Sequence, residues 1–240
     1  NALLSPVDVP GLVHSPMRSA PPLRLLHAKV ALLGFKSHDE NHAWRLRLIV
    51  STGNWTQQSL EESLDLVWCL ELSADALDAP TEAIQLSCAD FIAAKSLLDE
   101  IASWCDTSLL SLNINQTLTV SSLARVEVES WLIQSGKNAA GKPRLIDNRK
   151  KSLMSQLKSW ITRPEVRFKR NYLAMGSGFY ESGTGTTTLV PQKIVQLLQT
   201  EDALTHSANI ELYVNPLACQ AIAHSREILR EDGIIVRQPA

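Results

Sequence analysis

The stretch from Leu25 to Leu33, LLHAKVALL, places one histidine and one lysine inside an apolar run. The run predicts a β-strand over Leu23–Leu33, and the apolar residues around the polar pair indicate a central strand covered on both faces. Because side chains alternate along a strand, His27 and Lys29 project from the same face, about 6.5–7 Å apart along the chain. Two polar side chains that share one face of a buried strand need partners there.

The following segment is predicted to return the chain toward this polar pair. Lys36–Ala43 is polar and suits a hairpin-like loop, Arg45–Ser51 reads as a second strand, and Thr52–Ser63 as a turn or short helical region. If the two strands pair as a hairpin, the end of the second lies beside the start of the first. Asn54 then converges with the histidine and the lysine, and Gly53 lets the backbone approach a ligand closely.

The remainder of the chain alternates between helical and extended patterns. Apolar residues with helical spacing predict a helix over Ser87–Trp104, and Gly136–Lys142 reads as a loop. Further strands are predicted at Asp65–Leu72, Val126–Gln134, Tyr172–Met175, Ile210–Val214 and Ile234–Arg237, and further helices at Ser152–Ile161, Pro191–Leu198 and Pro216–Arg230. The predicted fold class is α/β, with a mixed, mostly central β-sheet flanked by helices.

Composition limits the classes of function. The chain has 240 residues, of which 45% are hydrophobic and 20% charged, as is usual for a globular protein. No apolar run approaches the roughly 20 residues needed to span a bilayer, so we expect no membrane partner. The four cysteines form no CxxC pair and no metal-binding spacing, which favours the cytoplasm or another reducing intracellular compartment, and no metal or other cofactor.

Basic residues are concentrated in one segment. Residues 137–170 hold 11 of the 23 lysines and arginines and only two acidic residues, a formal charge of +9 in a chain whose net charge is −2. Trp160 and Phe168 lie among these charges, and Tyr172 follows them. This pattern indicates either a surface for a nucleic-acid backbone and its bases or an ordinary solvated helix face with its loops.

The residues around the polar pair resemble a known signature. His27-x-Lys29, an apolar strand and then Ser51-Thr52-Gly53-Asn54 resemble the HxK…(G/S)xN motif of the phospholipase D superfamily, and most closely its tyrosyl-DNA phosphodiesterase branch. Gly34 stands where the superfamily has an aspartate, as that branch allows, and Trp55 and Trp68 lie near its tryptophan positions. Tyr172–Gly178 and Asn209–Pro216 resemble later strands of the branch more weakly.

The resemblance implies a phosphodiesterase that needs no metal. His27 would be the nucleophile that forms a covalent phosphohistidine, and Lys29 and Asn54 would hold the phosphoryl oxygens. Asp65 or Glu62 would orient the histidine. Nucleic acid, DNA rather than RNA, is the expected partner, and the expected substrate-binding residues are Ser51, Thr52, Arg149, Lys150 and Lys151.

The superfamily uses two HxK motifs, and a second one is not apparent in this sequence. His206 is followed by Ser-Ala, and His224-x-Arg226 lies in a helical pattern without a following GxN. Three explanations stay open: the second motif lies beyond residue 240, a homodimer completes the active site, or the site is degenerate and only binds. We therefore expect residues 3–240 to form a single phospholipase D-like domain or part of one, with the first motif at 27–54 and second-half elements from about residue 170. A lipid hydrolase of the same superfamily and a non-catalytic nucleic-acid-binding module are the alternative functions.

Overall fold

The computed structural model describes residues 27–38, 43–54, 56–57, 61–62, 65–103, 120–163, 168–177, 180, 188–214 and 225–238. The chain divides into two compact units, Asn1–Ile146 and Asp147–Ala240. The boundary precedes residue 170, where the sequence placed the start of the second-half elements. The described residues confirm an α/β protein, but they form two separate three-stranded sheets in place of the one mixed sheet that was expected. The single phospholipase D-like domain stays a prediction.

The first unit contains an antiparallel meander covered by two helices. The strands β1 (Val30–Lys36), β2 (Trp44–Ser51) and β3 (Val67–Ser73) pair in the order β1-β2-β3, and a short 3₁₀ turn follows at Asp75–Leu77. The helices are α1 (Glu82–Ser103) and α2 (Val120–Lys137). Alternate residues of β2 and β3, including Leu46, Leu48 and Leu72, are buried against Phe91 of α1 and Leu132 of α2.

The predicted strand Leu23–Leu33 needs correction in two respects. Strand β1 begins at Val30, and residues 23–26 lie outside the described part of the chain. Within that part β1 pairs only with β2, so it is an edge strand and not a central one. Its residues Leu33 and Phe35 are 39% and 44% exposed, so helices cover only one of its faces. The apolar run indicated a strand correctly but could not distinguish one covered face from two.

The predicted strand Val126–Gln134 is wrong, because these residues belong to α2. The sequence VEVE alternates like a strand, but Val128, Trp131, Leu132 and Ser135 follow the spacing of one helix face. Trp131 stacks on Trp44 of β2 at a centroid distance of 5.5 Å, and Leu132 is only 2% exposed. Packing of that face on the sheet decides in favour of the helix.

The second unit is a parallel sheet with helical crossovers. Its elements are α3 (Leu153–Ile161), β4 (Arg170–Ser177), α4 (Val190–Thr200), β5 (Leu204–Val214), α5 (Arg226–Glu231) and β6 (Ile234–Arg237). The strands pair in parallel in the order β4-β5-β6, as the alternation of strands and helices predicted. The core is formed by Leu212 and Ile210 of β5 with Val195 of α4 and Leu229 of α5.

Local signals define the helix ends of this unit. The Ser152 hydroxyl accepts a hydrogen bond from the Ser155 amide at 3.2 Å and caps α3, and Pro191 lies in the first turn of α4. Gly233 ends α5 with a φ of 75°, the left-handed conformation that favours glycine. The predicted helix Pro216–Arg230 is only partly within the described residues, where α5 starts at Arg226.

Candidate functional site

The hairpin brings Lys29 beside Ser51, as the sequence predicted. The pairing of Val30 with Val50 continues one residue further, because the Ser51 amide donates a 2.9 Å hydrogen bond to the Lys29 carbonyl. Residues directly opposite on antiparallel strands project from the same face. By this register Lys29 and Ser51 share the sheet face opposite the core residues Leu46 and Leu48.

The Lys29 ammonium lies on the imidazole of His27. Its Nζ is 2.7 Å from both Nδ1 and Nε2 of the ring and donates a 3.0 Å hydrogen bond to the His27 carbonyl. Lys29 is only 8% exposed, whereas His27 is exposed. A neutral imidazole has one acceptor nitrogen, so only one of the two ring nitrogens can accept a hydrogen bond from the ammonium at a time.

The turn after β2 is fixed by hydrogen bonds to the start of β3. The Thr52 amide donates to the Leu66 carbonyl at 3.0 Å, and the Thr52 hydroxyl accepts from the Leu66 amide at 3.0 Å while donating to Asp65 Oδ1 at 2.8 Å. The hydroxyl of Thr52 is therefore engaged within the turn. Ser51 Oγ accepts from the Gly53 amide at 3.0 Å, which leaves the Ser51 O–H as a donor.

Gly53 leaves space for a neighbouring carboxylate, and the close approach of a ligand at this residue stays a prediction. A Cβ atom at this position would lie 2.4 Å from Oδ2 and 2.6 Å from Cγ of Asp65, so the absent side chain makes room for that carboxylate. Asp65, predicted as a residue that orients the histidine, contacts Thr52 and packs on Gly53. Glu62, the other acidic candidate, is exposed.

Asn54 is not drawn into the contact between His27 and Lys29. It is exposed three positions after Ser51, and among the described residues no hydrogen bond links it to either side chain. The structure thus joins His27, Lys29 and the Ser51 backbone and leaves Asn54 at the end of the same turn. Trp55 lies outside the described residues.

Gly34, which stands at the aspartate position of the signature that the sequence resembles, lies where β1 closely approaches α2. A Cβ atom on Gly34 would lie 2.4 Å from Cγ2 of Val128 and 2.9 Å from Cζ3 of Trp131, both on α2. The helix crosses the sheet at this point, and an aspartate would have no space. The glycine is therefore explained by packing in this unit.

The basic residues predicted to bind substrate lie in the second unit and differ in availability. Arg149 donates from Nε to Asp147 Oδ1 at 2.9 Å and from Nη2 to Oδ2 at 3.0 Å, and this contact lowers the pKa of the Asp147 carboxyl. The Arg149 side chain is only 15% exposed. Lys150 and Lys151 are both exposed and keep their charges at the surface.

Other charges of the 137–170 segment are also paired with acids. Lys158 lies 2.6 Å from Glu201, Lys169 contacts Asp202, and Arg144 binds the fully buried Asp90. These three acids lie outside the segment, so its formal charge of +9 overstates the positive charge that a ligand would meet.

Sequence reasoning missed two polar clusters. Asp90 of α1 accepts from the backbone amides of Arg144 and Leu145 and from the Arg144 guanidinium, which joins the loop after α2 to α1. An aspartate on the apolar face of a predicted helix was the signal that could have revealed it.

The second missed cluster gathers around Glu211 on β5. One carboxylate accepts from the Tyr172 hydroxyl at 2.8 Å, from the Tyr213 hydroxyl at 2.7 Å and from Arg237 Nε at 2.6 Å. The hydrogen bond to Glu211 raises the pKa of Tyr172 to about 12, and the hydrogen bond from Tyr213, with that from Tyr172, lowers the pKa of Glu211. Alternating polar residues in IELYV were the signal available in the sequence.

A cavity of about 910 Å³ lies at the opposite end of the β1–β2 hairpin from His27. Its lining includes Phe35, Arg45 and Arg47. Both arginines pair with Glu71 on β3, and the Arg47 guanidinium lies 5.4 Å from the centroid of the Phe35 ring. Lys36, which also lines the cavity, pairs with Glu127 of α2 at 2.6 Å, so acids of the sheet and of α2 compensate these cations.

Two further observations concern metals and membranes. Within the described ranges, no three His, Cys, Asp or Glu side chains are grouped so that they would hold a metal ion. No helix among the described residues has the length and apolar character to cross a bilayer. Cys69 and Cys88 are free thiols, and burial raises the pKa of Cys88.

Comparison of the chain with protein-family models, with curated protein sequences and with solved structures finds no match in any of the three.

Proposed function

We propose that this protein is a phosphodiesterase of the phospholipase D type that acts on nucleic-acid ends through His27. The observation that carries the proposal is the buried Lys29 ammonium 2.7 Å from the ring nitrogens of the exposed His27. A lysine that is 8% exposed needs a polar partner, and here that partner is a potential nucleophile. A bound phosphoryl group would offer the ammonium an anionic partner in its place.

In the proposed reaction a ring nitrogen of His27 attacks phosphorus. A P–N bond forms, the P–O bond to the leaving group breaks, and the leaving oxygen takes a proton from a general acid. Water then gives a proton to that same group, now a base, and attacks phosphorus; the P–N bond breaks and the nucleic acid leaves with a terminal phosphate. Lys29, Asn54 and the Ser51 hydroxyl would stabilise the negative charge on the phosphoryl oxygens, and no metal is required.

The general acid is proposed to come from a second copy of the chain. Neither His206 nor His224 begins an HxK motif. A twofold axis through the site would place a second His27 opposite the first and complete the pair. A reaction whose rate rises with the square of protein concentration at low concentration would support this arrangement.

Nucleic acid is proposed as the substrate, in preference to a phospholipid. Lys150 and Lys151 are exposed and unlike Arg149 keep their charge at the surface. The motif also resembles the tyrosyl-DNA phosphodiesterase branch most closely. We expect DNA rather than RNA, on the strength of that resemblance.

The test is incubation of the protein with an oligonucleotide that carries a 3′-phosphotyrosyl group, with chelator present. We expect release of tyrosine. After denaturation without acid, which would hydrolyse the P–N bond, we expect a peptide whose His27 carries the oligonucleotide through its 3′-phosphate. His27→Ala should reduce turnover by about 10³-fold or more, and Lys29→Ala by about 10²-fold or more.

His206→Ala is the matched control, because His206 is an exposed histidine on β5 of the other unit. It should leave turnover unchanged. Turnover that survives in His27→Ala would contradict the proposal. Release of headgroup from phosphatidylcholine vesicles without any action on the oligonucleotide would replace it with the lipid hydrolase.

A further inference from the structure

The topology of the second unit leaves one face of its sheet without a helix. Strands β4, β5 and β6 are parallel and are added in one direction, and crossovers between parallel strands are right-handed. Two successive crossovers in the same direction place α4 and α5 on the same side of the sheet. Accordingly Val195 of α4 and Leu229 of α5 join one core with Leu212. Within the described part of this unit, the opposite face carries no helix, although parallel sheets are usually covered on both sides.

We call this the open face of the second unit. It carries the residues that alternate with the core positions Leu173, Ile210 and Leu212. Its members, read strand by strand, are Tyr172, Ala174 and Gly176, then Asn209, Glu211 and Tyr213, then Ile235 and Arg237. Tyr172 is 48% exposed, and Phe168, just before β4, is 66% exposed.

The tyrosines of the open face are held by the carboxylate between them. Both phenolic hydroxyls donate to Oε2 of Glu211, while Arg237 donates to Oε1. The strength of the contact is reflected in the raised pKa of Tyr172, about 12. Side chains that are already ordered lose less entropy when a ligand binds, so these rings are prepared for stacking.

Arg170, which is exposed at the start of β4, offers a positive charge to an anionic ligand that carries aromatic groups. Arg237 balances the charge of Glu211, and Lys169 at the edge pairs with Asp202. Arg170 is exposed between Phe168 and Tyr172, and its guanidinium donates to the carbonyl of Phe168. Phe168, Arg170 and Tyr172 are thus all exposed where β4 begins, and the register with β5 shifts between Arg170 and Tyr172.

We propose that the open face of the second unit, together with the exposed residues Phe168 and Arg170 at the start of β4, binds single-stranded nucleic acid. Bases would stack on Phe168, Tyr172 and Tyr213, and Arg170 would contact phosphates. The bases of a single strand can stack on the aromatic rings, and its phosphates can pair with the arginine. One ligand therefore contacts both kinds of side chain. Ile235 is the one large aliphatic residue among the described members of this face, and binding to a lipid surface would require more apolar side chains. The proposal does not depend on the His27 chemistry, because binding can be measured without turnover.

The experiment measures binding of a fluorescently labelled oligothymidylate of about 12 nucleotides to the full chain carrying His27→Ala, by anisotropy. Tyr172→Ser and Phe168→Ser should each weaken binding by about 5- to 150-fold, the loss expected for one stacked base. Tyr172→Phe keeps the ring and should stay within about threefold of the reference protein. Arg170→Gln should lower the slope of log affinity against log salt by about 1.

Two controls match these changes. Arg226→Gln removes an exposed charge from α5, and Phe35→Ser removes a half-exposed aromatic from the first unit. Neither should alter binding. The proposal is overturned if Tyr172→Ser and Phe168→Ser bind like the reference protein. It is also overturned if anionic vesicles bind where the oligonucleotide does not.

Discussion

Gly53 illustrates at the residue scale how a missing side chain determines a turn. Its amide donates a hydrogen bond to Ser51 Oγ, and the Asp65 carboxylate fills the space that a Cβ atom would take. The same carboxylate accepts a hydrogen bond from the Thr52 hydroxyl, so Asp65 contacts both Thr52 and Gly53. The same turn contains Asn54 and follows Ser51, whose amide donates to the Lys29 carbonyl.

We expect Gly53→Ala to lower the free energy of unfolding by about 1–3 kcal/mol, because the new methyl group overlaps the Asp65 carboxylate. In an Asp65→Ala background the same substitution should cost at least about 1 kcal/mol less, since the obstacle is gone. Urea denaturation of the four proteins measures both values. Gly176→Ala, whose Cβ would lie 3.9 Å from its nearest neighbour, should change stability by less than about 0.5 kcal/mol. Equal costs in the two backgrounds would refute the steric explanation.

The contact between His27 and Lys29 could be predicted from the sequence, because the alternation of side chains along a strand depends only on neighbouring residues. Their common face follows from a spacing of two residues and from the hairpin register. That Lys29 is buried while His27 is exposed was not predictable, since burial depends on distant residues.

At the scale of elements, Asp90 links α1 to the loop that follows α2. It is completely buried, and its oxygens accept from two backbone amides and from the Arg144 guanidinium. The guanidinium also lies 5.6 Å from the centroid of the Trp68 ring on β3. One buried carboxylate therefore ties a helix, a loop and, through Arg144, a strand together.

Asp90→Ala should destabilise the protein by about 3–5 kcal/mol, because it leaves two buried amides and a partly buried guanidinium without their acceptor. Asp90→Asn keeps an acceptor oxygen and should cost less. Asp99→Ala removes an exposed ion pair with Lys95 on the same helix and should cost about 0.5 kcal/mol or less. Thermal and urea unfolding compare the three variants. Similar losses for Asp90→Ala and Asp99→Ala would show that burial of the pair does not matter.

At the scale of the whole molecule, each unit has its own buried cluster. Leu46 and Phe91 are completely buried in the first unit, and Leu212 and Leu229 in the second. The basic segment 137–170 crosses the boundary after Ile146, so its charge does not belong to one unit. The boundary could not be recognised from composition, because no Pro-, Gly- or Ser-rich linker marks it.

We expect a fragment spanning residues 147–240 to fold on its own and to unfold cooperatively in urea, since it contains a complete parallel sheet with helices on one face. Leu212→Ala should lower the stability of the fragment by about 2–5 kcal/mol or unfold it. Lys193→Ala, an exposed change on α4, is the control and should have little effect. Circular dichroism and urea titration measure these outcomes. A fragment without cooperative unfolding would show that the second unit needs the first.

The sequence alone determined the features that depend on near neighbours. Alternation predicted β2 and β3, and helical spacing predicted α1 and α3. The predicted hairpin places the end of β2 beside Lys29. Only the tertiary structure decided which distant groups meet. It made VEVE helical by packing Trp131 on Trp44, filled the space at Gly53 with Asp65, paired Lys158 with Glu201, and left the face with Tyr172 open. The physical reason is that backbone preference is a property of adjacent residues, whereas burial and charge pairing are properties of residues that the fold brings together.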